Sequence, residues 1–337
     1  MQLSTVWFLI IGILFAGYAI LDGFDLGAGA LHLIVARTDS ERRQVLNAIG
    51  PVWDGNEVWL ITGAGSLFAA FPLVYGTVFS GFYLAMVLLL GSLILRAISI
   101  EFRSKETARL WRLGWDIGFS LGSTLAAFLF GVVLGNLLRG IPIDAGGVYR
   151  GGFVGLLNPF SLTTGFLTLS LAIMQGSAWL ALKTEGELQA RARRFVLAAV
   201  LAVAMVWIGA ALVARSDARR VFDNFASPLA WVGPLLTANV LFYVFLAFRF
   251  NHNGRAFLFT SLVVAGLAAT AGAALYPNLV PAVEAARSLT VDNAHSSDTS
   301  LTIMLIVALI GMPIVVAYSS FIYWKFKGKV RIDEASY

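Results

Sequence analysis

Four carboxylates and one guanidinium stand where an apolar chain would ordinarily have none. Asp22 and Asp25 fall in the run LDGFDLG, Asp54 and Glu57 in PVWDGNEVW, and Arg96 in LRAISI, each within an otherwise apolar stretch. An ionisable group at the centre of a membrane helix costs about 2.5–3.5 kcal/mol even on the mildest insertion scale, so a cluster of them marks function by default. Each acidic pair is spaced i, i+3, which puts its carboxylates about 60° apart on one helix face. Such a group can pass protons or hold a cation, with Arg96 as a charge partner. It can equally form a buried ion-pair network holding the first three spans together, the terminal acids simply reaching the interface. The residues alone leave these readings open.

Other chemistry is poorly supplied. The chain has three histidines (His32, His252 and His295) and no cysteine. No histidine pair has metal-site spacing and no thiolate is available, so neither a metal centre nor axial haem ligation is expected of this chain, although His32 or one of the six methionines could serve as an axial ligand in principle; His32 is expected to be a satisfied interfacial residue. No Gly-rich phosphate loop or Ser/His/Asp order stands out. Trp53, Trp59, Trp111 and Trp115 lie in or near the acidic segments. Interfacial belts account for most tryptophans near helix ends. Trp59, deeper in its span and about 140° around the helix from Asp54, is expected in core packing, the alternative being a cavity or a subunit face.

The elements that must position these groups are membrane helices. The chain is 58% apolar and 13% charged over 337 residues, against about 25% charged in an ordinary soluble domain. That excludes a soluble core, a disordered chain and, without cysteine, a disulfide scaffold. The fold class expected is an all-α polytopic membrane protein, one transmembrane domain over residues 1–337. Because a spanning helix needs about 20 apolar residues, nine transmembrane helices are read: Thr5–Ala36, Pro51–Phe71, Val74–Ile100, Trp115–Leu138, Asn158–Leu182, Phe195–Ala214, Pro228–Phe248, Ala256–Tyr276 and Leu301–Tyr323. The second and third, separated by only Pro72 and Leu73, are expected to form a tight antiparallel hairpin. The first seven residues carry no charge, so the first stretch reads as a retained span and not as a cleaved signal.

Sorting the basic residues by side gives the orientation. Of the 24 Lys and Arg residues, 17 fall in the connections after spans 1, 3, 5 and 7 and in the C-terminal tail, six on the opposite side, and Arg96 within a span. The split puts the N-terminus outside and the C-terminus in the cytoplasm, and the net charge of +5 then calls for no nucleic acid. The same orientation brings all five ionisable groups toward the cytoplasmic side. The connection Pro277–Ser300 lies outside and reads as a loop. Small-residue pairs at Gly23/Gly27, Gly118/Gly122 and Gly131/Gly135 read as close helix packing within the chain.

The run LNAIGPVWDGNEVWLITGAGSLFAAFPLVY, with LDGFDLGAG before it and FSGFYLAM, LRAISIEFRSK, GNLLRGIP, LNPF, LYPNLVP and SLTVDNA after it, resembles subunit II of the cytochrome bd-type quinol oxidases. The short chain is similar to the compact members, including the cyanide-insensitive oxidases. The resemblance implies two four-helix bundles plus one peripheral helix, paired with a similarly folded subunit I in a bacterial or archaeal cytoplasmic membrane. Subunit I would hold the b-type haems and the d-type or b-type oxygen-reducing haem. The complex would oxidise quinol outside, reduce O2 to water and take protons from the cytoplasm. By matching motif, Asp54 resembles a carboxylate on the proton path, Asp25 a second acidic position near it, and Trp59 a tryptophan at the entrance of a dioxygen route; Asp22 and Glu57 join the candidate proton-transfer set. A bound quinone and a small accessory membrane subunit are left open. The alternative from another class is a cation-coupled secondary transporter, disfavoured by the absence of a visible repeat.

Overall fold

The computed structural model of the chain describes residues 2–331, so both ends of the expected 1–337 domain lie outside the described residues. Helices α1 (Leu3–Leu21) and α2 (Gly23–Val35) form one rod of 33 residues. Asp22 N–H donates to Tyr18 O at 2.8 Å and Leu26 N–H to Asp22 O at 2.9 Å, carrying the ladder across the junction. At 1.5 Å per residue the rod is about 50 Å long, well beyond the roughly 30 Å hydrocarbon layer. A short helix α3 (Asp39–Ile49) follows, started by a capping box in which Thr38 Oγ1 accepts from Glu41 N–H while the Glu41 carboxylate accepts from Thr38 N–H.

Next come α4 (Trp53–Ala70), α5 (Pro72–Gly81), α6 (Tyr83–Phe102), α7 (Arg109–Arg139), α8 (Pro159–Lys183), α9 (Gly186–Asp217), α10 (Val232–Arg249), α11 (Asn253–Leu275) and α12 (Asp298–Lys325). Eight segments among the described residues are long and apolar enough to cross a membrane, and a ninth exists if α4 and α5, bent by 119°, count as one broken span.

The expected hairpin at Pro72 is corrected by this bend. Val74–Ile100 is not one helix: α5 leaves α4 at a steep angle, and the next long helix begins at Tyr83. Proline cannot donate to the turn before it but suits the first position of a new helix, where it stands in α5. The carbonyls released at the end of α4 are taken up from far along the chain. Ser296 N–H donates to Ala70 O at 2.8 Å and Ser296 Oγ to Ala69 O at 2.6 Å.

The glycine pairs do pack helix on helix within the chain. A Cβ on Gly27 would lie 1.7 Å from Ala172 O, and one on Gly176 would lie 2.3 Å from Gly27 C, so α2 and α8 touch backbone to backbone. Gly122 stands likewise against Ser92 O and Arg96 N of α6, and Gly131 against Thr164 O of α8. Helix α7 is thereby clasped between α6 and α8, and this intimate group holds the polar site. By contrast α12 buries only 6% of its apolar window.

The connection before α12 is ordered. Strands β1 (Asn278–Val280) and β2 (Leu289–Thr290) pair antiparallel, and Val280, Ala282 and Leu289 are buried with Ile141 and Leu301.

Candidate functional site

The notch at Asp22 turns its carboxylate into the helix group, where Arg96 of α6 meets it. Both side chains are fully buried, and the pair is bidentate: Nη1 donates to Oδ2 at 2.8 Å and Nη2 to Oδ1 at 2.6 Å. Arg96 Nη2 also stands 3.1 Å from Glu57 Oε1, an ion pair without hydrogen-bond geometry, and the guanidinium lies 6.0 Å from the centre of the Trp53 ring. One cation thus ties α1, α4 and α6 together. A planar fork matched to a carboxylate is the geometry that suits arginine to such a buried place.

Asp25, one turn further, meets a different partner. Asn56 Nδ2 donates to Asp25 Oδ2 at 2.7 Å and to Leu21 O at 3.0 Å, while Asn56 Oδ1 accepts from Tyr323 Oη of α12 at 2.9 Å. These bonds use both amide protons of Asn56 and fix which way the amide points. Asp25 is fully buried, and its Oδ1 has no hydrogen-bond partner among the described residues. Gln175 of α8 donates to Ile20 O at 2.7 Å and to Ser261 Oγ at 3.3 Å, with its own Oε1 unpartnered.

Asp54 is placed apart from this group. It is exposed on the chain's surface, with no hydrogen bond or ion pair among the described residues, and with Val58, Ile61 and Phe68 it forms one exposed stripe along α4 at helical spacing. The i, i+3 pairing therefore does not give Asp54 and Glu57 a common environment, because Glu57 turns inward to Arg96. Trp59 packs inward as expected: a Cβ on Gly17 of α1 would lie 2.5 Å from its ring, and its Nε1 is unpartnered.

A second polar cluster lies at the far end of α2. His32, expected at the interface, is fully buried; its Nε2 stands 2.6 Å from Asp116 Oδ1 and its Nδ1 has no partner among the described residues. The same carboxylate accepts from Arg103 Nε at 2.5 Å and from Arg42 Nη1 at 2.9 Å. Asp39 bridges on to Arg103 at 2.8 Å and Arg112 at 2.9 Å. Next to it, burial pushes the Glu41 carboxyl up, but Arg37 N–H, the Arg191 guanidinium and Thr38 N–H outweigh that and hold it below its usual 4.5.

Asp116, Asn56, Tyr323 and Gln175 are among the members of these clusters that the sequence does not single out. Asp116 was within reach, since it stands one residue inside the fourth expected span and meets the same criterion as the other intramembrane acids. The other three are uncharged, and only the fold brings them to Asp25 or its neighbours. No group of three or more His, Cys, Asp or Glu with metal-binding geometry occurs among the described residues.

Comparison with known proteins gives a consistent family. The family model of cytochrome bd terminal oxidase subunit II matches residues 3–326. The chain is 37% identical over 364 positions to cytochrome bd-I ubiquinol oxidase subunit 2 of Escherichia coli strain K12, covering 98% of this chain and 96% of that protein. It is 36% identical over 339 positions to cytochrome bd ubiquinol oxidase subunit 2 of Bacillus subtilis, covering 99% and 98%. In fold it is similar to a chain of the bd oxidase from Geobacillus thermodenitrificans, with a TM-score of 0.80 at 17% identity over 97% of this chain and 99% of that one.

Proposed function

The chain belongs to the cytochrome bd terminal oxidase subunit II family, and we propose that within its quinol oxidase it scaffolds a haem-bearing subunit I and admits protons from the cytoplasm. A cation-coupled transporter is set aside, since the relatives are oxidase subunits. We take α4 with α5 as one crossing, giving nine, arranged as two four-helix bundles with the sparsely buried α12 as the peripheral helix. The charge split supports an external N-terminus and a cytoplasmic C-terminus.

The observation that carries the reading is the contrast within WDGNE. Asn56 and Glu57 are locked to neighbouring helices, whereas Asp54 heads an exposed apolar stripe with no partner. A carboxylate there is unfavourable against lipid, so the stripe is best matched to subunit I, whose polar groups would receive it. Asp25 supplies a second proton-exchanging oxygen through its unpartnered Oδ1. Asn56, with both amide protons engaged, positions Asp25 and does not pass the proton itself. Asp22 and Glu57 face Arg96, and we assign Asp22 to holding the helices together. Trp59 lines the α1–α4 contact beside this route, and the dioxygen entrance implied by its motif would open there.

The donor set of this chain does not suit a haem. His32 spends Nε2 on Asp116 and packs edge-on to Phe119 with ring centres 5.2 Å apart, while His252 and His295 lie outside the helix interior. We therefore assign the b-type haems and the d-type or b-type oxygen-reducing haem to subunit I. A bound quinone and an accessory membrane subunit have no motif here to support them. The test is an absorption spectrum of the gently solubilised complex beside that of this chain expressed alone. Haem bands are expected only from the complex; a stoichiometric haem spectrum from the isolated chain would overturn the assignment.

A further inference from the structure

Helices α9 and α10 converge on a cleft of about 340 Å³ lined by Ala190, Arg193, Arg194, Leu197, Phe248 and Arg249. Arg193 is held against its neighbours. It donates to Asn253 Oδ1 at 2.6 Å and to Phe248 O at 2.9 Å, bonds Asn251, and lies 4.5 Å from the centre of the Phe248 ring. It builds the cleft, its guanidinium held in place by three of its five N–H groups.

The two other guanidiniums differ from it. Arg194 and Arg249 are exposed, and neither has an ion pair or hydrogen bond among the described residues. They flank one opening, where two unopposed like charges repel unless an anion joins them.

What lies below them identifies the anion. Leu197, Leu201, Met205, Ile208 and Leu212 follow Arg194 at intervals of three and four, one continuous face of α9, and all are exposed. Phe245 and Phe242 follow Arg249 in the same manner on α10 and are exposed too. From Leu197 to Ile208 the stripe runs about 16 Å, close to half of the roughly 30 Å hydrocarbon layer. A free phosphate would use only the arginines. A molecule with an anionic head and a chain of that length would use both features.

We propose that this cleft is a binding site for an anionic phospholipid of the adjacent leaflet, its phosphate between Arg194 and Arg249 and one acyl chain along the α9 stripe. Basic clefts between membrane helices recognise anionic head groups by this chemistry. The site is independent of the acidic cluster around Asp22 and Asp25.

The test uses the intact oxidase complex, purified and stripped of lipid in detergent. It is then equilibrated with mixed micelles containing either phosphatidylglycerol or phosphatidylcholine, and retained lipid is counted by native mass spectrometry. Wild type should retain phosphatidylglycerol in preference to phosphatidylcholine. The Arg194→Gln/Arg249→Gln variant should lose that retention by about tenfold or more, whereas Arg219→Gln, just beyond the other end of α9, should leave it unchanged. Both changed side chains are exposed, and a matching haem spectrum verifies assembly of each variant. Equal retention by the double variant would overturn the proposal. So would displacement of phosphatidylglycerol by inorganic phosphate alone, which would mark a site for free anions, or loss of a co-purifying protein from the double variant with lipid unchanged.

Discussion

Replacing Arg96 by methionine removes the one cation shared by α1, α4 and α6 while keeping much of its apolar stem volume. The structure sets the expected magnitude. Asp22 is fully buried and takes both of its short hydrogen bonds, 2.8 and 2.6 Å, from this guanidinium, so the variant strands a carboxylate with no charge partner at the helix junction. Removing one member of a buried pair typically costs about 3–5 kcal/mol, because the survivor keeps its desolvation penalty and loses its attraction. Asp22→Asn alone should also destabilise, by stranding the arginine, although Glu57 at 3.1 Å gives that cation a second acid and softens the loss. The double variant Asp22→Asn/Arg96→Met buries neither charge and should be more stable than Arg96→Met alone, a coupling that a double-mutant cycle isolates. The assay is the thermal midpoint of the purified complex, followed by loss of its haem absorption. If Arg96→Met shifts the midpoint negligibly, or if the two single effects simply add, Asp22 and Arg96 are not an interdependent pair and the reasoning fails.

Gly27→Ala should destabilise by about 1–3 kcal/mol or more, since its methyl would meet Ala172 O at 1.7 Å and neither backbone can yield, whereas Gly12→Ala, which meets nothing within 4 Å, should be neutral or stabilising; thermal midpoints of the two complexes measure the difference. The Glu41 carboxyl is held below its usual 4.5, so its stabilisation is present at neutral pH and is lost as pH falls through the depressed folded value. Glu41→Gln should accordingly be less stable than wild type near pH 6, and the gap should close as pH falls below 4.5; a gap that widens in acid would reverse the sign. Reporter fusions after Lys329 should score as cytoplasmic and those at Asn293 as external, and the opposite pattern would invert the orientation drawn from the basic residues.

Apolar length made most of the helices legible, and the charged exceptions pointed to Asp22, Asp25, Glu57 and Arg96 because burial of charge is costly whatever the fold. The sequence did not reveal the bend at Pro72. An uninterrupted apolar run reads as one span, and the group that satisfies the end of α4 is Ser296, more than two hundred residues away. Nor could spacing separate Asp54 from Glu57. Two residues on one helix face can still part company when one finds Arg96 and the other finds an open surface. Asn56 and Tyr323 were invisible for a different reason, being uncharged residues whose importance arises only from contact with Asp25.

The proposed role of Asp54, a proton-exchanging group on a surface matched to subunit I, is open to the most direct test. Asp54→Asn preserves shape and most hydrogen-bonding capacity but cannot ionise, and the measurement is oxygen consumption with excess quinol alongside the haem spectrum of the same sample. The expected result is a complex with full haem content and turnover reduced by about 100-fold or more, the lower end of what a positioned proton-transfer group contributes. Full turnover with full haem would contradict it, and loss of haem in place of rate would assign Asp54 to assembly instead.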